Sequence, residues 1–255
     1  MSEAELLDLA VAVAAEAGAG LREAFGGVLA VSSKSTPTDL VSDADVATET
    51  LIRERLTAAR PDDAIMGEEG DDRPGTSGLR WVVDPLDGTV NFLYGIPQWC
   101  VSIAVEDAEG GVAGVVYDPM REETWTATRG GSPAMNGEVV RAAEKDDLST
   151  ALVATGFGYA ADVREVQAGV IARLLPQVRD IRRLGAAALD LAWCAAGRFD
   201  GYYERGVKRW DVAAGGLLCE RAGLVVEPLA AAPPQGDGLL VAAPGIADAL
   251  LARVN

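Results

Sequence analysis

Three acidic stretches in this chain have the residue types and spacing that metal and phosphate chemistry uses. In Trp81-Val82-Val83-Asp84-Pro85-Leu86-Asp87-Gly88-Thr89, two aspartates stand three positions apart behind a short apolar, β-branched run that reads as the end of a buried strand. Pro85 pre-sets a turn, and Gly88-Thr89 opens a short helix with Thr89 as its candidate N-cap. Carboxylate oxygens are the ligands that hard divalent cations prefer, and free N–H groups at a helix start receive phosphate oxygens, so this turn could hold both. Taken alone, Asp-Pro-x-Asp-Gly is also the composition of an ordinary turn. Two further stretches change the balance. Met66-Gly67-Glu68-Glu69 sets paired acids behind the apolar Ala64-Ile65, and Trp210-Asp211-Val212-Ala213-Ala214-Gly215 sets an acid at the start of an Ala/Leu-rich helix. Taken alone, Asp211 would be that helix's N-cap.

Composition narrows the chemistry. The 255 residues contain no histidine, which removes Ser-His-Asp catalysis, histidine-based zinc sites and a phosphohistidine intermediate together. Catalysis must use carboxylates, hydroxyls, lysine or metal. Cys100, Cys194 and Cys219 are few, odd in number and widely spaced, which argues against a disulfide framework or a zinc site and for buried thiols. A formal charge of −17 disfavours a nucleic-acid partner, because binding a phosphate backbone depends on Lys/Arg neutralisation. An acidic site can still take phosphate where metal ions invert the local charge. No run approaches the roughly 18 apolar residues of a membrane span, and the acidic N-terminus reads as a helix, so a cytoplasmic protein is expected.

The elements that must position these acids follow from periodicity. Apolar residues at helical spacing predict a helix over Glu3–Phe25, stopped by Gly26-Gly27, then a short strand over Val28–Ser33 and a surface loop over Lys34–Thr38. Ser42-Asp43-Ala44-Asp45 opens a second helix running to Ala59, and on sequence alone Asp45 is a helix cap. Asp71–Gly78 is a polar loop with no packing face, expected to be mobile. Val101–Glu106 and Val112–Tyr117 flank a turn as a hairpin, and Glu123–Arg129 with Asn136-Gly137 adds antiparallel strands. Near Leu148 the pattern changes. Strands at Ala151–Ala154, Asp180–Leu184, Asp200–Glu204 and Leu239–Ala242 alternate with helices at Val163–Leu175, Gly185–Gly197 and Ile246–Val254. This alternation predicts one compact α/β unit with two halves. Residues 1–148 form helices on an antiparallel sheet, and residues 149–255 form a sheet covered by helices on both sides. Trp81 and Trp210 read as packing residues.

With its ordered acidic motifs, the chain resembles the inositol monophosphatase family of metal-dependent phosphatases. The resemblance is carried by Gly67-Glu68-Glu69, by Asp84-Pro85-Leu86-Asp87-Gly88-Thr89-Val90-Asn91-Phe92, and by Trp210-Asp211-Val212-Ala213-Ala214-Gly215 with Ala222-Gly223. It implies a layered α-β-α-β-α sandwich of the inositol monophosphatase and fructose-1,6-bisphosphatase type, commonly dimeric. It also implies a site with two to three Mg²⁺ ions. Glu68, Asp84 and the Leu86 carbonyl hold one, Asp84, Asp87 and Asp211 hold a second, and Glu68 touches a third, weaker ion. Thr89, oriented by Asp45, positions a water with Glu68 among the catalytic groups, and the Gly88 and Thr89 N–H groups receive phosphate oxygens. Glu204 and Ala187 face the substrate, Glu204 as acceptor of a hydroxyl. Glu69 is a neighbour rather than a ligand, and the family places a lysine near Lys34. Where this chain has Ala186, relatives have Ser or Thr, which bears on specificity and not on the metals. The activity so implied is Mg²⁺-dependent hydrolysis of inositol 1-phosphate and related polyol or sugar monophosphates. Histidinol phosphate, fructose 1,6-bisphosphate and 3′-phosphoadenosine are rival substrates within the fold. A non-catalytic partner of the transcription machinery is the rival of a different class.

Overall fold

The computed structural model describes residues 1–27, 31–33 and 40–255. The elements of the first half are α1 (Glu3–Ala24), β1 (Val31–Ser33), β2 (Leu40–Ser42), α2 (Asp43–Ala59), β3 (Ala64–Gly67), β4 (Arg80–Asp87), α3 (Thr89–Leu93), β5 (Cys100–Asp107), β6 (Gly110–Asp118), β7 (Glu123–Thr128), β8 (Ala134–Met135) and β9 (Glu138–Val139). The second half holds β10 (Leu152–Thr155), α4 (Ala161–Leu174), β11 (Asp180–Arg182), α5 (Ala187–Ala195), β12 (Gly201–Arg205), α6 (Arg209–Arg221), β13 (Val225–Leu229), β14 (Gly238–Ala242) and α7 (Ala247–Val254). The expected Lys34–Thr38 loop, with Lys34, and the Val28 end of the expected first strand lie outside the described residues.

Strands β3 to β9 form a seven-stranded sheet in chain order, parallel only between β3 and β4. The second sheet has five strands in the order β11-β10-β12-β14-β13, parallel where β10 meets β11 and β12 and antiparallel elsewhere. Helices α1 and α2 cover one face of the large sheet, while α5 and α6 lie on its other face and also touch the small sheet. Helix α7 packs on β14 from the far side and carries α4 beside it. The result is the layered α-β-α-β-α sandwich.

Period-two alternation explains why the large sheet needs helices on both faces. Along β5, Cys100 and Ala104 join the core shared with α5 and α6, whereas Val101, Ile103 and Val105 join the core under α1 and α2. A strand buried on both faces reads as a continuous apolar run, which is how Val101–Val105 reads. The polar members of the inner row are put to use, Ser102 donating to the Trp210 carbonyl at 3.4 Å and Glu106 pairing with Arg209.

Two strands went undetected for physical reasons. Strand β13 contains Pro228, which normally demotes a run, and it is tolerated because β13 is an edge that pairs with β14 alone. Strand β2 is three residues long and, among the described residues, pairs only with β1. The Asp71–Gly78 loop is exposed, yet it is tied down by backbone bonds between Ile65 and Arg73, by Thr76 and Ser77 N–H on the Asp62 carbonyl, and by Arg73 on Thr57 and Pro61. Trp81 is buried, and its indole N–H donates to Asp63 at 2.9 Å. All three cysteines are buried thiols, as their spacing indicated. No helix among the described residues is long and apolar enough to cross a membrane.

Because Ile103 is fully buried at the centre of the outer core, Ile103→Ala is expected to cost about 2–5 kcal/mol. Urea denaturation of the two proteins measures it, with little change expected in the slope.

Candidate active site

In an unbroken strand, residues three apart point to opposite faces, so Asp84 and Asp87 would be separated by the sheet. Strand β4 avoids this with an irregularity. Asp84 pairs with Ser102 and Asp87 with Cys100, so three steps on β4 oppose two on β5, and the register shifts between them. Ser102 and Cys100 share a face, and the added residue therefore brings both aspartates to the face covered by α5 and α6. The apolar run was expected to end at Val83 with Asp84 at its exit. The strand instead continues through the bulge to Asp87.

Beyond Asp87 the chain turns sharply. Gly88 has φ 98°, and a Cβ there would lie 2.8 Å from the Gln98 carbonyl oxygen, so both the backbone angle and the space demand glycine. Gly88, not Thr89, is the N-cap of α3, and Thr89 is its first residue. The Thr89 hydroxyl is then free for another role. It lies 2.8 Å from Asp45 Oδ1 and 3.1 Å from the Leu86 carbonyl, and its single proton goes to the shorter, charged acceptor. Phe25, Phe92 and Trp99 pack edge-on or tilted at centroid distances of 5.4, 5.6 and 5.0 Å, which pins α3 against the end of α1.

Asp45 is both things its sequence context suggested. Its Oδ2 closes the start of α2 by accepting the Ser42 N–H at 2.8 Å and hydroxyl at 2.6 Å, while Oδ1 accepts from Thr89. Asp211 is the third residue of α6 rather than its cap, and its Oδ2 accepts the Lys208 N–H at 2.5 Å. Asp87 reaches across to the second half, where Oδ1 accepts the Ala187 N–H at 3.2 Å and Oδ2 the Ala188 N–H at 2.6 Å. Helix α5 has Ala186 at its N-cap with no side-chain cap, so Asp87 satisfies the helix from another sheet. Asp84 Oδ1 accepts the Leu86 N–H at 3.0 Å.

These groups line one cleft of about 440 Å³ with Glu68, Leu86, Gly88, Thr89, Ala187 and Glu204. Asp45 stands behind Thr89. Burial together with mutual repulsion raises the acids. Asp84 is driven well above the usual carboxylate range by burial and by Glu68, Asp87 and Asp211. Asp87 is pushed up to about 7 by burial, against the Ala188 N–H, and Asp211 to about 8 by burial and Asp87. Glu204 reaches about 7 through burial, although the Tyr202 hydroxyl donates to it at 2.9 Å. A carboxylate cluster raised by its own charge is what divalent cations relieve, and an all-oxygen donor set suits Mg²⁺. Among the described residues no three acids already stand as a closed ligand set, and backbone N–H groups anchor each of the three aspartates. Each carboxylate still has further lone pairs, so the residues fit the ion.

Sequence reading missed several contributors. Glu49 is buried on α2 and accepts the Glu69 N–H, which makes half-buried Glu69 a neighbour of Glu68 with a role through its backbone. The signal was an acid in the buried helical stripe of Asp45, Glu49, Ile52 and Leu56. Trp210, read as packing alone, also lines the cleft, as do Arg183 and Phe157, which stack at 5.7 Å. Gly156 makes room for Glu204, because a Cβ there would fall 2.0 Å from its carboxylate.

The Inositol monophosphatase family model matches residues 2–254. The chain belongs to the inositol monophosphatase family. Inositol-1-monophosphatase of Mycobacterium leprae is 47% identical over 252 residues, covering 93% of this chain and 85% of that protein. Nus factor SuhB of Salmonella typhimurium is 40% identical over 224 residues, 87% of this chain and 84% of its own. The crystal structure of extragenic suppressor protein suhB from Bartonella henselae superposes with a TM-score of 0.91 at 35% identity and covers 98% of each chain. The family match spans the segments in which the three acidic motifs lie.

Asp87, Asp211 and Glu204 have folded values of about 7 to 8, above the roughly 4 of an unfolded chain. Between those limits the folded state holds more protons, so stability falls as pH rises through the window. Thermal unfolding in EDTA is expected to shift to lower temperature from about pH 5 to about pH 8. Millimolar Mg²⁺ should raise the midpoint most at the alkaline end, and a flat EDTA profile would contradict the clustering.

Proposed function

We propose that this chain hydrolyses inositol 1-phosphate, with breadth toward other polyol and sugar monophosphates, using Mg²⁺ and a water rather than a covalent enzyme intermediate. The observation that carries the reading is the convergence of Asp84, Asp87 and Asp211 in one cleft beside the Asp45–Thr89 pair. Glu68, Asp84, the Leu86 carbonyl, Asp87 and Asp211 would hold two to three ions. When bound, such ions neutralise charge on the phosphoryl and leaving oxygens and acidify water.

The side chains supply the rest. Thr89 Oγ1, with its own proton directed to Asp45 Oδ1 at 2.8 Å, has lone pairs to accept a proton from the attacking water. A proton can pass from that water to Thr89 while the Thr89 proton moves to Asp45. The N–H groups of Gly88 and Thr89 meet phosphate oxygens at the turn that Gly88 makes possible. Glu204, fixed by Tyr202 and seated against Gly156, accepts a hydroxyl of the polyol, and Ala187 lines the same cleft. A relative named inositol-1-monophosphatase at 47% identity supports this substrate over histidinol phosphate or fructose 1,6-bisphosphate. The same reading expects a cytoplasmic homodimer with no nucleic-acid or membrane partner, in keeping with the charge of −17.

Relatives named Nus factor SuhB favour a second reading, a binding protein of the transcription machinery. Phosphate release from the three phosphate esters, with and without Mg²⁺, separates the readings. Inositol 1-phosphate should be preferred with strict Mg²⁺ dependence, and Thr89→Ala should lose about 100-fold or more in kcat. Asp87→Asn should lose activity together with Mg²⁺ response. A tenfold preference for another ester would move the substrate and keep the site. Absence of activity on all three would favour the binding role.

A further inference from the structure

Helix α2 carries two buried acids one helical turn apart, Asp45 at 0% and Glu49 at 2% exposure. Residues four apart share a helix face. Asp45 serves Thr89. Glu49 reaches into the turn after β3, where Oε2 accepts the Glu69 N–H at 2.8 Å and Oε1 accepts the Gly70 N–H at 2.9 Å. Arg53 completes the clamp, since its Nε donates to Glu49 Oε1 at 2.6 Å while its other nitrogens donate to the carbonyls of Gly70 and Asp71 at 3.1 and 3.0 Å. The fit leaves no slack. A Cβ on Gly67 would lie 2.4 Å from Glu49 Oε1, and one on Gly70 would lie 3.0 Å away.

Two consecutive N–H groups held on one carboxylate fix the peptide planes directly after Glu68, and with them the direction in which the Glu68 side chain leaves the backbone. Glu68 lines the cleft. A carboxylate that merely satisfied a buried loop would stabilise the fold and nothing else. This one holds the backbone next to a candidate ligand, from the same helix face that holds Thr89.

We infer that Glu49 is a positioning residue of the metal site: α2 is a spacer whose two acids set the Glu68 turn and the Asp45–Thr89 pair at a fixed separation. This rests on the reading of Glu68 as a ligand.

The test is Mn²⁺ binding to chelator-stripped protein by calorimetry, with thermal unfolding in EDTA and the Mg²⁺ dependence of phosphate release measured alongside. Glu16→Gln, which removes the exposed pair that Arg55 of α2 makes at 2.6 Å, is the control. Groups that hold a ligand from behind are worth about 10- to 100-fold in metal affinity. Glu49→Gln is expected to weaken Mn²⁺ binding about tenfold or more and to raise the Mg²⁺ needed for half-activation equally, while kcat at saturating Mg²⁺ changes little. Glu16→Gln should leave Mn²⁺ affinity unchanged. A Glu49→Gln protein that melts earlier in EDTA but binds Mn²⁺ as wild type does would overturn the inference. If Glu49→Gln does not fold, Gly67→Ala is used, which keeps the carboxylate and displaces the turn. Its unchanged affinity would overturn the inference equally. Wild type that binds no Mn²⁺ would overturn the reading of the site itself, a result distinct from either variant's.

Discussion

Bringing several carboxylates together out of water is the constraint on which this structure turns. Each one loses hydration, and each repels the others, so the fold must supply opposing dipoles wherever it places one. It does so with backbone. The Leu86 N–H answers Asp84, those of Ala187 and Ala188 answer Asp87, and that of Lys208 answers Asp211. Because two of these three acids sit on β4 while the N–H groups of α5 answer one of them, the electrostatics of the cleft and the joining of the two sheets are one problem. Asn91 reinforces the joint by donating to the carbonyls of Gln98 and Leu184, both at 2.8 Å.

Helices α5 and α6 form the shared middle layer, and this is why the site lies at their N-terminal ends. An apolar body fills the space between the sheets, with Leu189, Leu191, Leu217 and Leu218 buried there. Only at the helix starts does the layer open toward the cleft. The partial positive charge of those ends favours acids at that position, and Asp87 and Asp211 occupy it. A cation bound in the cleft would therefore draw on the same oxygens that serve the helix starts.

Much of this was legible in the sequence because it is local. The hairpin of β5 and β6, the α2 capping residues and the acidic strand and helix ends all depend on neighbours within a few positions. What escaped depends on contacts distant in sequence. Whether Thr89 caps its helix or faces the cleft is decided by Asp45, 44 positions away, and by the glycine geometry of residue 88. That Asp87 answers the N–H groups at the start of α5, whose N-cap Ala186 has no capping side chain, is decided by residues 100 positions apart. What Glu49 holds is decided by the 67–70 turn folding onto it, 20 positions away in sequence. Pro228 hid a strand because nothing local marks it as an edge.

The bulge between Asp84 and Asp87 has a consequence for how this segment can change over generations. Side-chain direction in a strand depends on whether a residue count is odd or even, and the added residue converts an odd separation into a shared face. Removing or adding one residue there would send one aspartate to the opposite core, among the buried apolar side chains of Val83 and Ile103. Side chains in Asp84–Asp87 can drift where chemistry allows, but the length of the segment is locked. Variation in chain length within relatives should be found in the surface loops, such as Asp71–Gly78, and never between these two acids.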